Sequence, residues 1–228
     1  MLLEAGADDE LPAVTPDAPP SPDQIRAARL FLAAADPALA RIEAVTPEFV
    51  WRVRERGFAG LLKLMVEQQV SLASAAAIWA RVERGLGEVS PAAVLALDDA
   101  GLQGLGLSRP KVGYARAIAQ AHVSGQCDFD SLRHLSDEEA GAALMRIKGI
   151  GRWTAETYLM FCEGRLDVFP GGDVALQEAL RWADGAAERP NEKQAYLRAE
   201  AWKPYRAVAA HLLWRCYGAV KRGEIPPF

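Results

Sequence analysis

Apolar residues recur at three-to-four spacing across 174–184, 191–201 and 204–220, the period of one buried helix face. No long stretch alternates with the strand period of two. The punctuation between apolar runs agrees. Thr46-Pro47 and Ser90-Pro91 each place a good N-cap before a proline at the first helical position. Ser71 can cap a helix reaching about Gly85, and Ser108 one reaching about Ser124. Ser136-Asp137-Glu138-Glu139 fits a capping box, ahead of a helix ending near Arg146. The pattern predicts an all-α fold of about ten short helices with no internal repeat.

Residues 1–20 break the pattern. They are rich in Ala, Pro and Asp, carry four prolines and have little periodicity. They read as a mobile tail before a folded domain spanning 21–228. Half of the 228 residues are hydrophobic, enough to bury a sizeable core. No apolar run reaches the roughly 18 residues of a membrane span, and the N-terminus has no basic start or apolar h-region. Cys127, Cys162 and Cys216 form neither a disulfide framework nor a CxxC metal pair. The simplest setting is a reduced cytoplasm, and no membrane partner is expected.

The net charge of −4 argues at first against a nucleic-acid partner. Its distribution weakens that objection. Residues 1–23 hold six acidic side chains and no Lys or Arg, so the rest has 26 basic and 24 acidic residues. The folded body is slightly basic, and any DNA contact must rely on local geometry.

Candidate chemistry concentrates at Leu144–Tyr158. One helix ends near Ile147, Gly149 and Gly151 bracket Ile150, and a second helix starts at about Arg152. Two glycines at this spacing permit a tight turn. They also strip side chains from the amides at the second helix's start, where free N–H groups and the positive helix end suit a phosphate. Ile150 would pin the turn between the helices. A plain helix connection with glycines at a C-cap would use the same pattern.

The longer string Ile147-Lys-Gly-Ile-Gly-Arg-Trp-Thr-Ala155 resembles the helix-hairpin-helix of the base-excision DNA glycosylases, on the 3-methyladenine glycosylase II side of that superfamily. The hairpin would span about 137–162. Lys148 stands where the family usually has proline, and it would add a phosphate contact beside Gly149, Gly151, Arg152 and Thr154. The family also holds an alkali-metal ion through hairpin carbonyls; the matching ones are those of Met145, Ile147 and Ile150. No cofactor is required, and Na+ or K+ would be structural.

In the resembling family a Gly/Pro-rich loop and a catalytic aspartate follow the hairpin. Asp167–Gln177 is similar to that segment, and Asp173 takes the aspartate's position. By itself Asp173 reads as a helix N-cap, after Pro170-Gly171-Gly172 and before an apolar-periodic run. The two readings are compatible, since a capping aspartate is rigidly aimed. Cleaving an N-glycosidic bond develops positive charge on the sugar, and a fixed carboxylate stabilises it. A cationic alkylated base leaves without a dedicated general acid.

Bifunctional members carry a Schiff-base lysine two residues after the second hairpin glycine. Here that residue is Trp153. The endonuclease III branch uses four C-terminal cysteines for an iron–sulfur cluster, whereas only Cys216 follows the catalytic segment. The resemblance therefore implies a hydrolytic glycosylase without lyase activity. It makes Trp153 and Trp214 walls of a base pocket, with Tyr158 a further candidate, because a flipped cationic base stacks well on electron-rich rings. Trp51, Trp79, Trp182 and Trp202 are expected in the core. Glu67–Ser71 is similar to the family's turn that enters the duplex, with Gln69 and Val70 as wedge candidates and Gln68 beside them. Arg109 and Lys111, in Gly106–Val112, are candidate phosphate contacts.

The resemblance spans about residues 45–220. It implies a compact form of two helical subdomains with the active-site cleft between them. It also implies a monomer acting on double-stranded DNA that contains alkylated bases. Two alternatives stand beside it: a glycosylase for oxidised or mismatched bases, and a non-catalytic helix-hairpin-helix module that only binds DNA. A binding module needs neither Asp173 nor a Trp-lined pocket.

Overall fold

A computed structural model describes residues 19–45, 51 and 53–227. Among them are twelve α-helices, two 3-10 turns and no strand, which agrees with the all-α expectation. The tail and the start at Thr46-Pro47 lie outside the described residues, save for Pro19 and Pro20 at the tail's end. The other caps fall where the sequence places them. Ser71 and Ser90 accept amide bonds from Ser74 and Ala93 at the starts of α4 (Leu72–Leu86) and α5 (Pro91–Ala96). Ser136 and Glu139 close a capping box on α8 (Asp137–Met145). Ser108 precedes α7 (Arg109–Val123), but its side chain makes no capping bond.

Four helices have no counterpart among the predicted starts. Helix α1 (Pro22–Ala35) carries a capping box from Ser21 and Gln24, and α2 (Pro37–Val45) follows after one residue. Helix α3 (Gly57–Glu67) is buried from Phe58 to Val66 apart from Lys63. A helix covered on nearly every side has no polar face, so periodicity does not reveal it. The last is α6 (Asp99–Gly104), capped by Asp98.

Helices α3 to α9 (Arg152–Phe161) form one subdomain, in which α3 packs against α4, α7 and α9. The second is made from both halves of the chain. Helices α1 and α2 pack with α10 (Val174–Ala183) and α12 (Arg206–Lys221), and α11 (Glu192–Ala199) packs on α10. Polar ties hold this arrangement. Trp202 donates to Asp36 at 2.7 Å, and Arg198 pairs with Asp36 at 2.6 Å. One continuous apolar core runs through both subdomains. The chain crosses between them once after the hairpin, from α9 to α10, and Asp173 ends that crossing. A residue there stands at the seam, where both subdomains can reach it.

Candidate active site

Asp173 is the N-cap of α10 and accepts the Leu176 amide at 3.0 Å through Oδ1. Two indoles converge on the same carboxylate. Trp214 Nε1 of α12 donates to Oδ1 at 3.1 Å, and Trp153 Nε1 of α9 donates to Oδ2 at 3.0 Å. Three N–H groups from three helices thus fix one carboxylate. Each carboxylate oxygen has about two acceptor directions. Both on Oδ1 are taken, whereas Oδ2 keeps one open. Trp153, at 36% exposure, is the more open of the two indoles.

The aromatic wall extends beyond the two expected tryptophans. Phe161 lies parallel to Trp214, with centroids 5.8 Å apart and planes 19° apart. His211 meets Phe161 and Trp214 edge-on and stacks on Trp51 at 4.3 Å. The Arg54 guanidinium lies 5.6 Å from the Phe161 centroid. Phe161 was legible in the sequence, because positions 153, 157 and 161 share one face of a helix. Tyr158, five residues from Trp153, points elsewhere.

Tyr158 is accordingly corrected from pocket to core. It is fully buried; its hydroxyl accepts the Gly57 amide at 2.8 Å and donates to Glu163 at 3.0 Å. It locks the start of α3 to the end of α9. The remaining tryptophans, Trp51, Trp79, Trp182 and Trp202, are buried as expected.

The hairpin joins α8 to α9 as predicted. Gly149 has φ +92°, a conformation that disfavours any side chain. A Cβ there would also run into the ring of Tyr114 on α7, so α7 seats the turn. Ile150 is buried under it. The first intrahelical bond of α9 runs from Ala155 N to Gly151 O at 3.0 Å, and no side chain caps the helix. The amides ahead of Ala155 are left facing outward, with Lys148 and Arg152 exposed around them. Thr154 is corrected as a side-chain DNA contact: it is buried, and its hydroxyl accepts from Gln68 Nε2 at 2.6 Å.

That bond brings the other expected DNA element to the hairpin helix. Gln68 ties the turn after α3 to α9, so its side chain is a brace and not a contact. Lys111 is corrected in the same way. Its ammonium donates to the carbonyls of Val66 and Gln68, both at 2.8 Å, and burial pushes the amine below its ordinary pKa. It clamps the exit of α3 and is not free for phosphate. Gln69 stands exposed at the tip with φ +56°, the one non-glycine in that region among the described residues. Val70 is 37% exposed, and Leu72, not among the expected wedge residues, is 90% exposed. Arg109 is exposed at the first position of α7.

No group of three or more His, Cys, Asp or Glu able to hold a metal occurs among the described residues. The three cysteines are buried free thiols, and burial pushes Cys127 and Cys216 to about 11 and Cys162 to about 12. They are unsuited to nucleophilic work. No described helix is long and apolar enough to cross a membrane.

An all-α fold with a phosphate-suited hairpin, an exposed turn and one carboxylate held between two indoles defines a helix-hairpin-helix protein. The chain belongs to the HhH-GPD superfamily of base excision DNA repair proteins, whose family model matches residues 62–204. It is similar to YfjP of Bacillus subtilis, provisionally named a DNA-3-methyladenine glycosylase, at 29% identity over 68% of this chain. The chain spans 57% of that relative's length. The DNA-3-methyladenine glycosidase of Bacillus halodurans superposes with TM-score 0.77 at 32% identity, covering 92% of this chain and 94% of its own. A 3-methyladenine DNA glycosylase of Schizosaccharomyces pombe, in complex with abasic DNA, gives TM-score 0.74 at 25% identity, covering 89% and 98%.

Proposed function

We propose that this protein is a monofunctional DNA glycosylase that hydrolyses the N-glycosidic bond of alkylated bases in double-stranded DNA. The observation that carries the reading is Asp173, gripped by the Leu176 amide and the Trp153 and Trp214 indoles. The relatives' names and the abasic-DNA complex of a similar structure point to the same substrate class.

The chemistry follows from the geometry. The hairpin amides, Lys148 and Arg152 take a phosphate, and Arg109 adds charge beside the turn after α3. Gln69 and Val70 fill the stack as the target base turns out. The base enters against Trp153 and Trp214, where the electron-rich rings favour a cationic base. As the bond breaks, charge develops on the sugar and Asp173 stabilises it. The open direction on Oδ2 is the one available to orient the attacking water. Asp173 cannot rotate toward another partner without giving up three hydrogen bonds, so little reorganisation is needed.

Trp153 occupies the place of the lyase lysine and offers no amine for a Schiff base. The hairpin carbonyls of Met145, Ile147 and Ile150 are hard donors that suit Na+ or K+. That of Ile147 accepts the Ile150 amide at 3.0 Å and keeps a second lone pair. The ion would stiffen the turn and takes no part in bond breaking. The protein is expected to act as a monomer.

The test is base release from duplex DNA treated with a methylating agent. Wild type should release methylated bases, Asp173→Asn should be slower by at least about a hundredfold, and borohydride should trap no covalent complex. Equal release by both proteins would remove Asp173 from the mechanism. DNA binding without release would favour the binding-module reading, and a trapped complex would refute the monofunctional one.

A further inference from the structure

The loop that delivers Asp173 rests on a half-buried acid that plays no part in the bond-breaking chemistry. Glu156 lies one turn after Arg152 on α9, with its side chain 14% exposed. It borders a hollow of about 450 Å³ shared with Arg152, Phe169, Tyr196 and Arg206. The Tyr196 hydroxyl, from α11, donates to the Glu156 carboxylate, 2.8 Å from each oxygen. Arg152 Nε donates to Glu156 at 3.2 Å, and its guanidinium covers the Tyr196 ring at 4.1 Å.

The other face of this unit touches the catalytic loop. A Cβ on Gly171 would stand 3.0 Å from Tyr196 Cε1 and Cζ, so the ring lies flush against that glycine. Gln177 Nε2 holds the Gly171 carbonyl at 2.8 Å in a buried bond. Gly171 is therefore fixed both by the ring and by α10, two residues before Asp173. Arg152 meanwhile stands at the first position of α9, where the hairpin faces phosphate. One compact cluster touches both ends of the site.

Withdrawing an acid from water is costly in its charged form, and an apolar side chain would fill the space without that cost. We propose that Glu156 and Tyr196 are positioning residues that couple the phosphate-facing hairpin to the aim of Asp173, by holding Arg152 and Gly171 in one hydrogen-bonded, stacked unit. This rests on the glycosylase reading for its consequence in excision, and on the geometry alone for the mechanical link.

Burial raises the Glu156 carboxyl to about 7, against the pull of Tyr196 and Arg152. Glu192 adds repulsion to it, and Asp137, Glu138 and Arg206 line the same hollow. The folded state thus holds the proton more tightly than the unfolded chain, whose glutamate titrates at about 4.3. The stability contributed by neutral Glu156 is complete below that value and is lost as pH rises through about 7. In the same window the ionising carboxylate tightens on Arg152, so excision should rise toward the alkaline side.

The experiment compares wild type, Tyr196→Phe and Glu156→Gln in single-turnover base release from methylated duplex. Duplex affinity and the indole N–H resonances of Trp153 and Trp214 in ¹⁵N-labelled protein are measured beside it. Both variants should excise about tenfold or more slowly, the scale of a small misplacement of a reacting group. Affinity should change less than threefold, and both indole resonances should shift, because they report the Asp173 contacts. The wild-type rate should show an inflection near pH 7 that Glu156→Gln lacks. Normal rates with unmoved resonances overturn the proposal, as does an inflection that persists in Glu156→Gln. If wild type releases no base but Tyr196→Phe still moves both resonances, the coupling stands and the glycosylase reading falls.

Discussion

Two turns project from this protein, and they solve the same backbone problem in opposite ways. The hairpin between α8 and α9 enters the positive-φ region at Gly149, and the turn between α3 and α4 enters it at Gln69. At the hairpin the side chain is dispensed with, because a Cβ would strike Tyr114 and the outward surface is backbone amide. At the other turn a side chain is kept where glycine would be easier, at about 1 kcal/mol of strain. A residue held in such a conformation points to function more than to folding. The contrast separates a turn that offers its backbone from one that offers a side chain.

The sharpest way to break the contrast is Gly149→Ala. The positive φ and the collision with Tyr114 should together cost about 2–4 kcal/mol, a melting-temperature fall on the order of 5–10 °C. A variant that melts normally and binds duplex normally would mean that the hairpin does not need a bare backbone.

Lys111→Met tests the brace beneath the second turn. Losing two bonds to carbonyls at the exit of α3 should cost about 1–2 kcal/mol and slow excision severalfold. The salt dependence of duplex binding should not change, since the ammonium is spent on Val66 and Gln68. Lys148→Ala should do the reverse, leaving stability alone and lowering the salt slope by about one. A salt slope that falls in Lys111→Met would return that lysine to the phosphate.

Gln69→Gly should also barely move stability. Relief of about 1 kcal/mol of strain is nearly offset by the greater freedom of glycine in the unfolded chain, so the net change should lie within about 0.5 kcal/mol. Excision should still fall about tenfold, because the vacated stack is left unfilled. Undiminished excision by this variant would show that the second turn, like the first, works through its backbone.

Sequence patterns carried most of the helices with one apolar stripe and a cap-type residue or glycine before them, and they carried the hairpin, since paired glycines before a helix start form a local signal. They missed α3, which is apolar almost all round, and α1, whose Ser21 capping box adjoins a segment that reads as tail. At the site, Asp173, Trp153 and Trp214 were marked by family-like strings around them. Tyr158 shares a helix with Trp153 but not its face, because a step of five residues turns the side chain well away from position 153. Lys111, Gln68 and Thr154 read as surface polar groups in sequence. Each turned inward to satisfy a partner more than 40 residues away in the chain.

By itself the sequence determined eight of the twelve helices among the described residues, where the hairpin lies and which carboxylate could act, because caps, glycine pairs and apolar spacing are short-range chemistry. Only the tertiary structure decided what those groups face. The convergence of Trp153 and Trp214 on Asp173, the stack of Phe161 on Trp214, and the seating of Tyr196 against Gly171 each join separate segments of the chain. Such contacts are set by how α9, α10, α11 and α12 pack across the seam, and no local pattern encodes that packing.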